Sequence, residues 1–198
     1  FSPAQGRKAA RLNSGVRQHM KLLFALAILL GSCSVNAKDA CLAQIPKALE
    51  QAITSKYPTY RAPLVTDNLA EDVQYAQEQH KSPCIGVATA DFNGDGSLDR
   101  VVALTALRGE GAVVVAAIQN DGIWKLHELT KWPEGRGRLY VETDKPGTYF
   151  SVLEAASGDG EVEKLTCKNS FAIFGMTEST GVAYCLSKGK WRYTWFSD

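Results

Sequence analysis

The sequence predicts an α+β fold, with an N-terminal helix packed on a mostly antiparallel, hairpin-rich sheet. Three observations predict it. One amphipathic helical stretch, Asp39–Ser55, comes first. From Cys84 onward, short apolar runs of strand length follow one another. The connections between those runs, notably Asn120-Asp121-Gly122, Asp159-Gly160 and Lys188-Gly189, have the chemistry of tight hairpins in which a residue needs positive φ. Strands joined by hairpins are antiparallel, and a helix preceding them packs on one sheet face.

In Asp39–Ser55, Leu42, Ile45, Leu49 and Ile53 recur at helical spacing, and Asp39 is available as N-cap. Pro46 weakens or delays the start of this helix, and Tyr57-Pro58-Thr59-Tyr60 and Pro63 end it. Leu69–Lys81 is expected to form a second short helix. The expected strands are Ile85–Ala90, Arg100–Leu107, Ala112–Gln119, Ile123–Leu129, Arg138–Glu142, Tyr149–Ala155, Leu165–Phe174, Gly181–Leu186 and Trp191–Phe196. There is no internal repeat and no low-complexity linker.

Upstream of the helix the chemistry is different. Met20 and Lys21 introduce the apolar run Leu22–Leu30, nine residues where a membrane-spanning helix needs about 20. A basic flank, a short apolar core and small residues after it are expected of a secretory signal peptide over residues 20–37. Residues 1–19 are expected to be a non-native or over-extended leader, and 38–198 a single globular domain. Two processing readings compete. Val35-Asn36-Ala37 offers a cut that frees Lys38, whereas Leu30-Gly31-Ser32-Cys33 resembles a lipobox that would place a lipid anchor on Cys33. The expected location is periplasmic or secreted, with an outer-membrane lipoprotein as the alternative.

Residues 1–37 contain five basic side chains (Arg7, Lys8, Arg11, Arg17, Lys21) and no acidic one, so the remainder is mildly acidic, with a net charge of about −4. A domain of that charge without a basic stripe is not expected to bind nucleic acid. It retains Cys41, Cys84, Cys167 and Cys185. An even number in an exported domain favours disulfides, and four cysteines allow three connectivities. If the strands Lys164–Phe174 and Gly181–Leu186 meet at a turn near Glu178, Cys167 falls opposite Cys185; this pairing, with Cys41–Cys84 by elimination, is preferred. A cysteine-only metal site lacks the C-x-x-C spacing it would need.

The segment that carries chemistry is Asp91-Phe92-Asn93-Gly94-Asp95-Gly96-Ser97-Leu98-Asp99. Side-chain oxygens stand at loop positions one, three, five and nine, and the Ser97 carbonyl stands at seven. Calcium is a hard cation that takes six to eight oxygens, and alternate positions of a tightly curled loop point such oxygens inward. Gly96, at position six, permits the sharp turn. Three carboxylates so crowded repel one another without a cation between them. The predicted ligands of Ca2+ are therefore Asp91, Asn93, Asp95, Ser97 and Asp99. This is not an EF-hand, because position twelve is Val102 rather than Glu and the flanks read as strands.

The stretch Ala88–Ala103 resembles one FG-GAP/VCBS-type repeat, in which such a loop joins two strands of a propeller blade and binds calcium. The resemblance implies the same five ligands and a sheet of partial propeller-like blades. A propeller needs several four-stranded blades, and this chain has a single loop, so the adhesive role of multi-repeat relatives is not carried over. The whole chain also looks similar to small, uncharacterised exported bacterial proteins.

Other candidates read as structure. His80 and His127 are unaccompanied by any Gly-x-Ser-x-Gly, His-Glu-x-x-His or phosphate-cradling motif. His127 shares a strand face with Lys125, opposite Trp124 and Leu126, and is expected to be solvated. Trp191, Tyr193 and Trp195 alternate on one face of the last strand and are expected to be sheet core rather than a stacking platform. Trp132–Arg138 reads as a flexible basic-aromatic surface loop, and Asp159, Glu161 and Glu163 as a charged hairpin end. The expected function is a non-catalytic calcium-binding or scaffolding module for a protein or glycan partner. The alternatives are a calcium-assisted hydrolase and an inhibitor of an extracytoplasmic enzyme.

Overall fold

A computed structural model describes residues 38–196 except His80, Glu154, Glu178 and Thr180. The expected signal peptide, Cys33 and the leader lie outside the described residues. The N-terminal helical stretch forms, but as two pieces. Asp39 caps α1 (Ala40–Ala43), its Oδ1 accepting from the amides of Cys41 at 2.8 Å and Leu42 at 3.3 Å. Pro46, with φ −60° and ψ 146°, is extended and starts α2 (Lys47–Lys56). The single helix expected over Asp39–Ser55 therefore breaks at Pro46, which has no N–H to continue the ladder. The apolar spacing still works across the break. Cys41, Ile45, Leu49 and Ile53 all enter one core cluster. A further helix, α3 (Ala70–Glu78), buries only Ala76.

The strands are mostly antiparallel, as the hairpin chemistry predicts. A five-stranded sheet contains β1 (Tyr60–Arg61), β2 (Val87–Ala90), β3 (Asp99–Ala106), β4 (Ala112–Asn120) and β5 (Ile123–Trp132). Its order is β1-β3-β4-β5, with β2 sharing the outer edge of β3. A four-stranded sheet has the order β11-β10-β9-β6, from β6 (Leu139–Asp144), β9 (Phe171–Met176), β10 (Gly181–Ser187) and β11 (Lys190–Phe196). A short hairpin pairs β7 (Gly147–Phe150) with β8 (Lys164–Cys167). Asp121 (φ 48°) with Gly122 (φ 80°), and Lys188 (φ 50°) with Gly189 (φ 75°), make the left-handed two-residue turns expected there.

Residue alternation sorts these elements into layers. On β3 and β4, Val102, Leu104, Val113, Val115 and Ala117 face the helices. Their neighbours Val101, Ala103, Val114 and Ala116 face the second sheet, against Val141, Phe174, Val182 and Tyr184. The second sheet's other face packs Phe171, Ile173, Ala183 and Cys185 on Leu165 and Cys167 of the outer hairpin. The order is thus helices, first sheet, second sheet, hairpin. Near the end of β5 a bulge inserts Leu129 between Glu128 and Thr130. It turns Trp132 toward the second sheet, where its ring meets Phe174 edge-on at 5.6 Å.

Both disulfides, Cys41–Cys84 and Cys167–Cys185, are present, with Cα separations of 4.9 and 5.8 Å. Cys167 and Cys185 do not, however, face each other across a hairpin as the sequence predicts. Leu165–Phe174 is not one strand: it divides at Lys168-Asn169-Ser170 into β8 and β9, which lie in different layers. Cys185 lies opposite Arg192 on β11, and its bond to Cys167 fastens the hairpin layer to the second sheet. Two disulfides fit an oxidising, extracytoplasmic compartment. No helix among the described residues is long and apolar enough to cross a membrane.

Candidate metal centre

The acidic loop connects β2 to β3, whose last ladder pair is Ala90 with Asp99. Two left-handed residues turn the chain within it, Gly94 (φ 78°) and Gly96 (φ 86°), both conformations that a β-carbon opposes. The acids hold the loop's own amides. Asp91 Oδ1 accepts from the amides of Gly94 at 2.6 Å and Asp95 at 3.2 Å, and its Oδ2 accepts from Gly96 at 2.9 Å. Asn93 Oδ1 accepts from the Asp95 amide at 3.0 Å, while Asn93 Nδ2 donates to Asp95 Oδ2 at 2.7 Å. Asp95 Oδ1 accepts from the Ser97 amide at 2.7 Å. The Ser97 amide and the Asn93 side chain hold the Asp95 carboxyl below the usual carboxylate range.

Asp99 is the deep end of the loop, with 0% of its surface exposed. Its Oδ2 accepts from the Phe92 amide at 2.9 Å and its Oδ1 from Gln119 on β4 at 2.8 Å. Burial pushes its carboxyl up. Those two amides oppose the shift, and the nearby charges of Asp95 and Asp91 add to it. Among the described residues none of the three acids forms an ion pair. Arg100 feels the charge of Asp99, but its hydrogen bonds go to backbone carbonyls, those of Gln44 at 3.1 Å, Leu98 at 3.2 Å and Asp99 at 2.8 Å.

The donor chemistry fits a hard cation: three carboxylates and a carboxamide oxygen within nine residues, close enough for the buried one to feel the other two. Each carboxylate has about four acceptor sites, and the bonds above leave at least one on each. Among the described residues no three His, Cys, Asp or Glu side chains are gathered as a finished metal cage. In this arrangement Asp91 and Asp95 are committed to the loop's amides.

One contributor was not visible in the spacing. Asn169, in the turn between β8 and β9, donates Nδ2 to the Phe92 carbonyl at 3.3 Å. A β-carbon at Gly94 would come within 2.9 Å of both its amide atoms. Phe92 itself is 1% exposed and meets Trp191 edge-on at 6.0 Å. Asn169 is 77 positions from Phe92, and nothing local to either segment announces the contact.

The remaining candidates fall elsewhere. His127 is half-buried rather than solvated, with its ring 6.4 Å from Trp191; burial first, then Lys125 and Lys56, lower its pKa. His80 lies outside the described residues. Trp191, Tyr193 and Trp195 pack half-buried against the core between the two sheets. Trp195 and Trp132, with Phe174, Met176 and Leu153, line an open pocket of about 320 Å3. Asp159, Glu161 and Glu163 are not joined as a site: Glu161 Oε2 accepts from the amides of Ser157 and Gly158.

Trp132–Arg138 is not a free surface loop throughout. Arg136 is 4% exposed, donating Nε to Thr105 Oγ1 at 3.1 Å and Nη1 to Asn68 Oδ1 at 3.3 Å. Burial lowers its pKa to about 10, with Asp67 opposing the shift and Arg61 adding to it. Comparisons with protein-family models, curated proteins and solved structures return no match for this chain.

Proposed function

We propose that the loop binds one Ca2+ through Asp91, Asn93, Asp95, the Ser97 carbonyl and Asp99, in the manner of an FG-GAP/VCBS-type repeat. The observation that carries this reading is the buried Asp99 carboxylate, which forms no ion pair among the described residues and lies within reach of the charges of Asp91 and Asp95. Buried charge is costly unless it is compensated, and a divalent cation would compensate all three acids. The two left-handed glycines support the tight curl that such a site requires.

The ion's role on this reading is structural, holding β2 and β3 in register. Outside the cytosol, sites with dissociation constants of about 10⁻⁴–10⁻³ M can be occupied. At calcium tenfold above the dissociation constant the gain is about 1.4 kcal/mol. The protein is then a periplasmic or secreted, non-catalytic binding or scaffolding module. Its partner is a protein or glycan, and the aromatic pocket between Trp132 and Trp195 supports a surface of that kind.

Calorimetric titration of the chelator-treated protein with CaCl2 tests the site. Saturable binding near one ion per chain is expected, with a melting temperature that rises with calcium and falls with EDTA. Asp95→Ala should abolish that sensitivity. Melting that stays unchanged in millimolar calcium would refute the assignment.

A further inference from the structure

Given the reading that the loop holds calcium, we propose that Asn169 is a positioning residue for that loop. It reaches the loop from the second sheet, so that ion binding fastens the two sheets together and Trp191 reports the event. The loop belongs to the first sheet, as the connection of β2 to β3. Asn169 belongs to the turn that leads into β9 of the second sheet. Its amide group lies on the loop backbone at two points, hydrogen-bonding the Phe92 carbonyl at 3.3 Å and standing 2.9 Å from where a Gly94 β-carbon would be. These points flank Asn93, and Asp91 precedes them. Asn169 thus touches backbone between predicted ligands, where Gly94 leaves room.

A second contact follows the same direction. Phe92 is buried between the sheets and packs edge-on against Trp191 of β11. The third brace, Asp99 to the Gln119 amide, stays within the first sheet. Of these three contacts, the two made by Phe92 and Gly94 reach the second sheet.

Binding an ion requires Asp91, Asp95 and Asp99 to be held together against their repulsion. A loop whose backbone is already fixed at Phe92–Gly94 loses less freedom on binding, which raises its affinity. Linkage makes the coupling reciprocal: whatever Asn169 adds to ion affinity, the ion adds to the Asn169 contact. From the net worth of one hydrogen bond, Asn169→Ala should weaken calcium binding by about three- to tenfold.

The test titrates chelator-treated full chain with CaCl2 by calorimetry, with Asn169→Ala and the milder Asn169→Ser beside the wild type. Tryptophan emission is followed in parallel, with Trp191→Phe as its control. The proposal expects weaker binding in both Asn169 variants and a melting deficit larger in calcium than in EDTA. It also expects a calcium-dependent emission change that Trp191→Phe removes. Equal affinity in wild type and both variants, or a deficit of the same size in calcium and EDTA, overturns the Asn169 role while the ion site stands. An emission change that survives in Trp191→Phe overturns the Trp191 part. A wild type that takes up no calcium overturns the ion reading itself, and this inference falls with it.

Discussion

The buried Arg136 makes a strong demand on a single carboxylate. Asp67 Oδ2 accepts from Arg61 Nη1 at 2.7 Å, from the Leu64 amide at 2.8 Å and from Thr105 Oγ1 at 2.8 Å, and its Oδ1 accepts from Arg61 Nη2 at 2.6 Å. Thr105 Oγ1 in turn receives Arg136 Nε. One acid therefore serves two guanidinium groups, one paired directly and one through a hydroxyl. Asp67→Asn keeps the shape and removes the charge. The Asp67–Arg61 pair alone is worth little more than a surface bridge, because Arg61 is 37% exposed. The larger loss is at Arg136, left buried beside no negative charge. Uncompensated buried charges cost about 3–5 kcal/mol. With Arg136 still bonded to Asn68, about 3 kcal/mol is the expected destabilisation. For a domain of this size that lowers the melting temperature by about 6–12 °C.

The companion variant is Arg136→Met, which removes the buried charge and fills similar space. Replacing a buried ion by a packed apolar group is often close to neutral. The bond to Asn68 Oδ1 is lost, at about 1–2 kcal/mol. Urea denaturation of both single variants and the double gives the coupling directly. Asp67→Asn is expected to cost more than Arg136→Met, and the double variant less than the sum of the singles. Additive effects, or an Arg136→Met cost above that of Asp67→Asn, would refute the charge argument. The pH dependence has a defined sign. Burial raises the Asp67 carboxyl, but the bonds from Arg61, the Leu64 amide and Thr105, with the Arg61 charge, outweigh it and hold the pKa below its ordinary value. A depressed carboxylate stabilises the fold above its unfolded pKa, near 3.9, and loses that contribution as pH falls through its lower folded value. The stability gap between wild type and Asp67→Asn should stay constant from pH 5 to 8 and close below about pH 4.

The two disulfides should differ in weight. Cys41–Cys84 spans 43 residues and Cys167–Cys185 spans 18, so chain entropy assigns them about 4 and about 3 kcal/mol, measurable by denaturation of the paired Cys→Ser variants. Gly94→Ala should destabilise more than Gly96→Ala in thermal melts. Both positions are left-handed, but only at Gly94 would a β-carbon meet Asn169. Phe92→Ala should cost about 3–5 kcal/mol, as expected of a fully buried aromatic, and should change Trp191 emission. If it melts within about 1 kcal/mol of wild type, the loop is not anchored between the sheets as described.

What was legible in the sequence was whatever depends on neighbours in the chain. Asp121-Gly122 and Lys188-Gly189 specify their turns without help, and alternation along β3 and β4 specifies both faces of the first sheet. The Asp91–Asp99 pattern is equally local, and the left-handed turns it calls for at Gly94 and Gly96 are there. Pro46 was visible as a weakness but not as a break, because the apolar spacing runs unbroken from Leu42 to Ile53. Lys168-Asn169-Ser170 was read through for a different reason. The apolar residues on either side continue the strand pattern, and only the tertiary fold sends them to separate layers. Arg136 was hidden by composition: a Gly-Arg-Gly-Arg run reads as solvated until Asp67, Asn68 and Thr105, distant in sequence, are brought beside it.

The aromatic strand shows how far local reading reaches. Alternation correctly puts Trp191, Tyr193 and Trp195 on one face, and that face is turned to the core between the sheets. Their half-burial follows from position, since β11 is the edge of its sheet. A long aromatic edge strand invites pairing with another chain. Here the irregular segment after β7 covers part of it. Val152 donates its amide to the Trp195 carbonyl at 3.0 Å, Val162 donates to Tyr193 at 2.9 Å, and Tyr193 donates to Gly160 at 3.0 Å. The stripe has two different ends. Trp191 touches Phe92 beneath the acidic loop, and Trp195, four residues on, lines the open pocket. At about 3.4 Å per residue those ends stand roughly 14 Å apart on one strand. The acidic loop and the pocket thus meet aromatic side chains of one strand at its two ends.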